Sequence, residues 1–152
     1  MRAGQRQILI SELTDLQKRI RQNHVAAGQK ASGRTLQSIL VEVGDDYGML
    51  TGRKAIGTLE TGRKAGKVPA KFKDIILKWM ADKGIVKKYP KSFAFLVARK
   101  IRLEGSLLHR MGGRSDIYSN EINITIPRLI KRLGDDQVTE IMRIFDNIKV
   151  TA

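Results

Sequence analysis

The chain has 152 residues, 41% of them hydrophobic and 5% aromatic, which suits one domain with a core of its own. It carries 29 Lys and Arg against 15 Asp and Glu, a formal charge of +14, and no cysteine, which excludes disulfides, thiolate nucleophiles and cysteine-based zinc sites. No apolar run approaches the roughly 20 residues of a membrane span. The opening Met1-Arg2-Ala3-Gly4-Gln5-Arg6-Gln7 lacks the apolar segment of a secretory signal, so a soluble protein with no membrane partner is expected.

Ile10, Leu13, Leu16 and Ile20 recur at steps of three, three and four, which predicts an amphipathic helix over about residues 5–29. Gly28 and Ser32-Gly33-Arg34-Thr35 suit its end and a turn. Ile39, Val41 and Val43 then alternate with Leu40 and Glu42 as a strand. The turn formers of residues 44–48 follow, and Met49 to Gly57 is read as the returning strand of a hairpin. Ala55-Ile56-Gly57-Thr58-Leu59-Glu60 reads as a further short strand.

Phe72, Ile75, Ile76, Trp79 and Met80 keep helical spacing up to Gly84, with Trp79 read as core and an interface anchor as its other reading. A second helix is expected from Ser92 as N-cap through Phe93, Leu96, Val97 and Ile101 to Gly105. The two pack on each other or on the sheet. Met111-Gly112-Gly113-Arg114-Ser115 reads as a flexible break. Ile122, Ile124 and Ile126 alternate as in a strand while the residues flanking them read as helix; helix is the favoured reading from residue 120, with a break at Gly134, where Asp135 or Asp136 caps a last one through Val138, Ile141, Ile144 and Phe145. The expected fold is α+β: a small antiparallel sheet with a long N-terminal helix and several packed helices. It forms a single domain over 1–152, with a sheet and hairpin region at 35–62, a helical pair at 71–105 and a C-terminal helical segment at 120–152.

A five-residue string occurs twice, as Thr51-Gly52-Arg53-Lys54-Ala55 and as Thr61-Gly62-Arg63-Lys64-Ala65 running into Gly66-Lys67. Residues 53–114 hold seventeen Lys and Arg against four Asp and Glu, so nearly all of the net charge belongs to this stretch. Such a field favours polyanions or acidic protein surfaces. Arg53, Lys54, Arg63, Lys64 and Lys67 are therefore the candidate partner contacts, binding acidic residues or phosphates. A solvated hairpin tip and loop is the other reading of the same residues. Arg99-Lys100-Ile101-Arg102 reads as the wet face of its helix.

Enzyme signatures fail one by one. Gly57 to Lys64 has the glycine spacing of a phosphate-binding loop, but Arg63 and Lys64 stand where Lys and then Ser or Thr are needed. His24 and His109 each lack a second ligand at helical spacing, and the paired aspartates are explained by a turn and a cap. No catalytic residue, cofactor or metal is expected. A helix-turn-helix is disfavoured because Lys83 to Pro90 exceeds that motif's three- or four-residue turn. Sequence-nonspecific contact with phosphates remains as the alternative function.

The order of elements resembles tail-completion proteins, the small head–tail joining (neck) proteins of tailed bacteriophages. The resemblance rests on Gly33, Arg34, Leu36, Ser38 and Ile39, then on Ala55, Ile56, Leu59, Glu60 and Gly62. Its continuation looks like a version found in phages of Bacteroides-type hosts: Lys73-Asp74-Ile75-Ile76 through Trp79 to Lys83-Gly84-Ile85, then Ala94 to Ile101 and Glu104-Gly105. It spans about residues 5–120, and Ile56 stands where an aromatic residue is usual. It implies a non-enzymatic virion protein, assembled in the host cytoplasm as a homo-oligomeric ring of six- or twelve-fold symmetry. Its partners would be portal or adaptor and tail proteins, with the basic surface facing acidic subunits or DNA in the neck lumen.

Overall fold

A computed structural model describes the backbone of residues 1–150 and side chains through Ile144. Helix α1 (Ala3–Ala26) buries Leu13, Leu16 and Ile20, the apolar row of the sequence pattern. After a short helix α2 (Arg34–Gln37), strand β1 (Leu40–Val43) pairs antiparallel with β2 (Gly48–Thr51) in the register Leu40 to Thr51 and Val43 to Gly48. Helix α1 grips the start of the hairpin, because Gln17 Nε2 and Arg21 Nη2 both donate to the Ile39 carbonyl, at 2.6 and 2.7 Å. The chain is thus α+β, with helices dominating a single two-stranded sheet among the described residues.

The last helix, α7 (Ser119–Val150), runs antiparallel to α1 and is fastened to it by charge. Buried Glu12 accepts from Arg128 and Arg132 at 2.8 and 2.7 Å. Farther along, Arg19 Nε reaches Glu121 at 2.8 Å and Asn23 Nδ2 reaches the Ile117 carbonyl at 3.3 Å. Leu13, Leu16, Ile20, Ile39 and Ile117 form the core beneath this hairpin of long helices.

A second apolar cluster is separate from the first. It lies between α4 (Phe72–Asp82) and α5 (Lys91–Glu104), where Ile76 and Met80 meet Ala94 and Ala98. The helical pair therefore packs on itself and not on the sheet. Hydrogen bonds at its edges join it to the rest: Gly66 N to the Arg102 carbonyl at 2.8 Å, and Lys83 Nζ to the Gly28 carbonyl at the C-terminal end of α1.

Several expectations are corrected. The returning strand stops at Thr51, and residues 54–61 form no strand; a 3-10 turn (Lys54–Gly57) leads into a short helix, α3 (Thr58–Thr61). Ile56 and Leu59, three apart, both pack on the first core in this helical form, which a strand would not allow. Ser92 is not the N-cap of α5; Pro90 holds that position, its fixed φ of −66° and extended ψ of 157° making the entry. Helix α7 runs through Pro127 and Gly134 unbroken, so neither Asp135 nor Asp136 caps anything. The solvent side of Gly134 makes no demand on shape, and Asp136 instead lies against Gly4 at the N-terminus of α1, where negative charge is favourable. Trp79 is 41% exposed, since Phe72, Ile76 and Met80 occupy the inward row of α4 and turn Trp79 and Ile75 to its flank. The side chain of Phe145 lies outside the described residues.

Candidate partner-contact surface

The second basic copy grows out of a buried joint. Glu60, in α3, is 3% exposed and accepts hydrogen bonds from the backbone N–H groups of Ile117, Tyr118 and Ser119 at 2.9, 2.6 and 2.9 Å, and from the Ser119 hydroxyl. It thereby caps the first turn of α7 from 57 residues away in sequence. Burial alone would raise its pKa, but the hydrogen bonds from Ser119, Tyr118 and Ile117 outweigh it and hold the carboxyl below its ordinary value. The Glu60 carbonyl also accepts from Arg114 N at 2.9 Å, and Gly113 N donates to Leu108, so the expected flexible break at 111–115 is tied down.

Around this joint the backbone is too close for side chains. Gly62 has φ +68°, and a Cβ there would lie 2.5 Å from His109 N. His109 belongs to α6 (Leu107–Arg110), a short helix capped by Ser106, whose hydroxyl also accepts from Arg63 N at 2.9 Å. The Arg63 carbonyl accepts from Ser106 N at 2.8 Å. The Arg63 side chain turns inward, with Nη2 donating to the Lys67 carbonyl at 2.9 Å and the guanidinium 5.3 Å from the centre of the Phe72 ring. Arg63 is a latch for its own loop, while Lys64 and Lys67 project into solvent.

The first copy is built differently. Thr51 ends β2, Arg53 N donates to the Ser38 hydroxyl at 3.2 Å, and the Arg53 and Lys54 side chains are exposed. Arg53 borders a cleft of about 490 Å³ between the two apolar clusters, lined also by His24, Arg34, Lys78, Trp79 and Asp82. His24 is buried with Nδ1 unpartnered, and its burial and the charge of Lys83 lower its pKa. The five candidate contacts therefore divide: Arg53 and Lys54 near the cleft, Lys64 and Lys67 on the second loop, and Arg63 withdrawn into the fold.

Sequence reasoning missed the exposed apolar side of the basic helical pair. Phe95 is 55% and Leu103 63% exposed. A groove of about 340 Å³ is lined by Val68, Phe72, Phe95 and Ala98, with Lys73, Arg99 and Arg102 beside them. Phe95, Ala98, Arg99 and Arg102 follow steps of three, one and three, so the wet face that the sequence assigns to Arg99-Lys100-Ile101-Arg102 adjoins an apolar row that the spacing could have shown. Among the described residues, no group of three or more His, Cys, Asp or Glu side chains is placed to hold a metal, and no helix is long and apolar enough to cross a membrane. No protein-family model, curated protein or solved structure matches this chain.

Proposed function

We propose that this chain is a non-enzymatic structural protein of a tailed-phage virion, a ring component that completes the junction between head and tail. The observation that carries the reading is the pair of apolar helical faces left uncovered on a strongly basic chain: Phe95 and Leu103 on α5, and Val138, Ile141 and Met142 on α7. Surfaces of this kind mark contacts with other protein. The resemblance to neck proteins adds a reason for them, and the residues that carry it occupy demanding positions: Gly33 has φ +81°, Ile39 is fully buried, and Glu60 caps α7.

The concentration of positive charge in residues 53–114 favours a second reading, sequence-nonspecific binding of duplex nucleic acid. One experiment separates the two. Heads and tails from particles assembled without this chain are mixed with the purified chain, and joined particles are counted. Joining that depends on the chain is the expected result. No joining, together with a salt-sensitive complex on duplex DNA, overturns the connector and puts nucleic-acid binding in its place.

A further inference from the structure

The cleft between the two apolar clusters has the size and lining of a ligand site. At about 490 Å³ it falls within the roughly 300–1,000 Å³ of small-molecule sites. One wall is the flank of α4, where Lys78, Trp79 and Asp82 follow steps of one and three and so share a face beside the inward row of Ile76 and Met80. The facing wall is the end of α1 and the chain after it, which supply His24, Gln29 and Arg34, and Arg53 borders the cleft as well.

Three features of this lining select a ligand. Arg34, Arg53 and Lys78 stand against the single carboxylate of Asp82, so the cleft favours an anion. Arg34 is already steered into place, since its Nε donates to the Ser32 hydroxyl at 3.1 Å and its Nη2 lies 4.0 Å from Asp82 on the facing wall. Trp79, exposed beside these cations, offers an indole face on which a planar ring can stack. The inner wall is polar and underused: His24, 3% exposed, has Nδ1 without a partner, and Gln29, whose Nε2 donates to the Leu59 carbonyl at 2.8 Å, has Oε1 without one. Unspent hydrogen-bonding capacity of that kind suits a polar ring edge and not a hydrocarbon.

We infer that this cleft binds a nucleotide unit, with its base on Trp79 and its phosphate among Arg34, Arg53 and Lys78. An acidic peptide would use the cations but leave the indole face and the polar inner wall without a role. Duplex DNA keeps its base faces stacked inside its own helix, out of reach of Trp79. A free nucleotide and an unpaired stretch of strand present the same chemistry, and the test separates them. The site goes beyond the connector reading and beyond phosphate contact by the basic loops, and neither of those depends on it.

Trp79 is the one tryptophan of the chain, so its fluorescence reports on the site directly. The full-length protein is titrated with thymidine monophosphate, with a single strand of thymidylates, with a strand of the same length lacking bases, and with duplex DNA. Saturable quenching by the mononucleotide or the thymidylate strand is expected, with a response at least about tenfold weaker to the abasic strand and the duplex, neither of which presents a base face. A thymidylate strand less than about tenfold tighter than the mononucleotide assigns a free nucleotide; a larger gain that falls steeply with salt assigns an unpaired strand. Arg34→Ser with Arg53→Ser keeps the fluorescent reporter and, both side chains being exposed, the fold, and it should weaken binding about tenfold. The absence of saturable quenching by either base-bearing ligand overturns the site. So does an abasic strand or duplex that quenches equally, or quenching that survives the loss of both arginines unchanged.

Discussion

The two copies of Thr-Gly-Arg-Lys-Ala are identical in sequence and unlike in structure. In the first, Thr51 closes a strand, Gly52 is ordinary backbone, and Arg53 extends into solvent. In the second, Thr61 closes a helix, Gly62 is left-handed, and Arg63 folds back onto Phe72 and the Lys67 carbonyl. The residues ahead of the strings make the difference. Leu50 precedes the first copy and needs only an apolar neighbour, while Glu60 precedes the second and organises the start of α7, α6 and the loop between them. One string is a surface loop and the other is part of a joint.

Breaking the joint should give the largest effect. Glu60→Ala strips three backbone N–H groups of their acceptor in a buried place, a loss of about 3 kcal/mol, read as a lower melting temperature or denaturant midpoint. A loss below about 1 kcal/mol would mean that the cap is replaceable. The pH dependence has a definite sign. Because Glu60 has a lowered pKa when folded, its contribution is present above the unfolded carboxyl value and disappears as pH falls through the folded one. The native chain should therefore weaken in acid below about pH 4.5, and Glu60→Gln should flatten that limb without abolishing it, since Glu12, its burial outweighed by Arg132 and Arg128, is shifted the same way.

The glycines sharpen the comparison at a smaller scale. Gly62→Ala meets a left-handed backbone and the amide of His109, with nothing flexible to yield, so about 2 kcal/mol should be lost. Gly52→Ala meets mainly the end of the Ile56 side chain, which can rotate away, and should cost under about 1 kcal/mol. Equal losses in thermal melts would show that the two loops are constrained alike.

Much of the fold was legible because period and burial agree locally: Leu13, Leu16 and Ile20 on α1, the alternation of β1, and the spacing of Ile76 and Met80. What failed depended on distant contacts. Ile56 and Leu59 are too few to distinguish a strand from a turn of helix until Ile117 and α1 lie beneath them. Gly134 and the two aspartates look like a helix break, but tertiary support from α1 overrides a weak local preference. For Trp79, four apolar residues in two adjacent rows left the centre of the face undefined. The role of Glu60 required knowing what lies 57 residues onward, and its one local trace is a lone carboxylate among the many cations around it.

The smallest effect separates packing from charge at the arginines. Arg63→Ala should lose about 1 kcal/mol, from the hydrogen bond to Lys67 and the stacking on Phe72, while Arg53→Ala should stay within about 0.5 kcal/mol. Arg63→Lys is the discriminating substitution. Lysine keeps the charge but lacks the planar fork that reaches the carbonyl and lies over the ring, so its melting temperature should follow the alanine variant. A lysine variant as stable as the native chain would mean that Arg63 serves through charge, as its exposed counterpart does. In that case all five cations of the two strings would again be candidates for one partner surface. With Arg63 as a latch, a partner sees four: replacing Arg53, Lys54, Lys64 and Lys67 by Ser should weaken the salt dependence of partner or DNA binding while leaving the melting temperature in place.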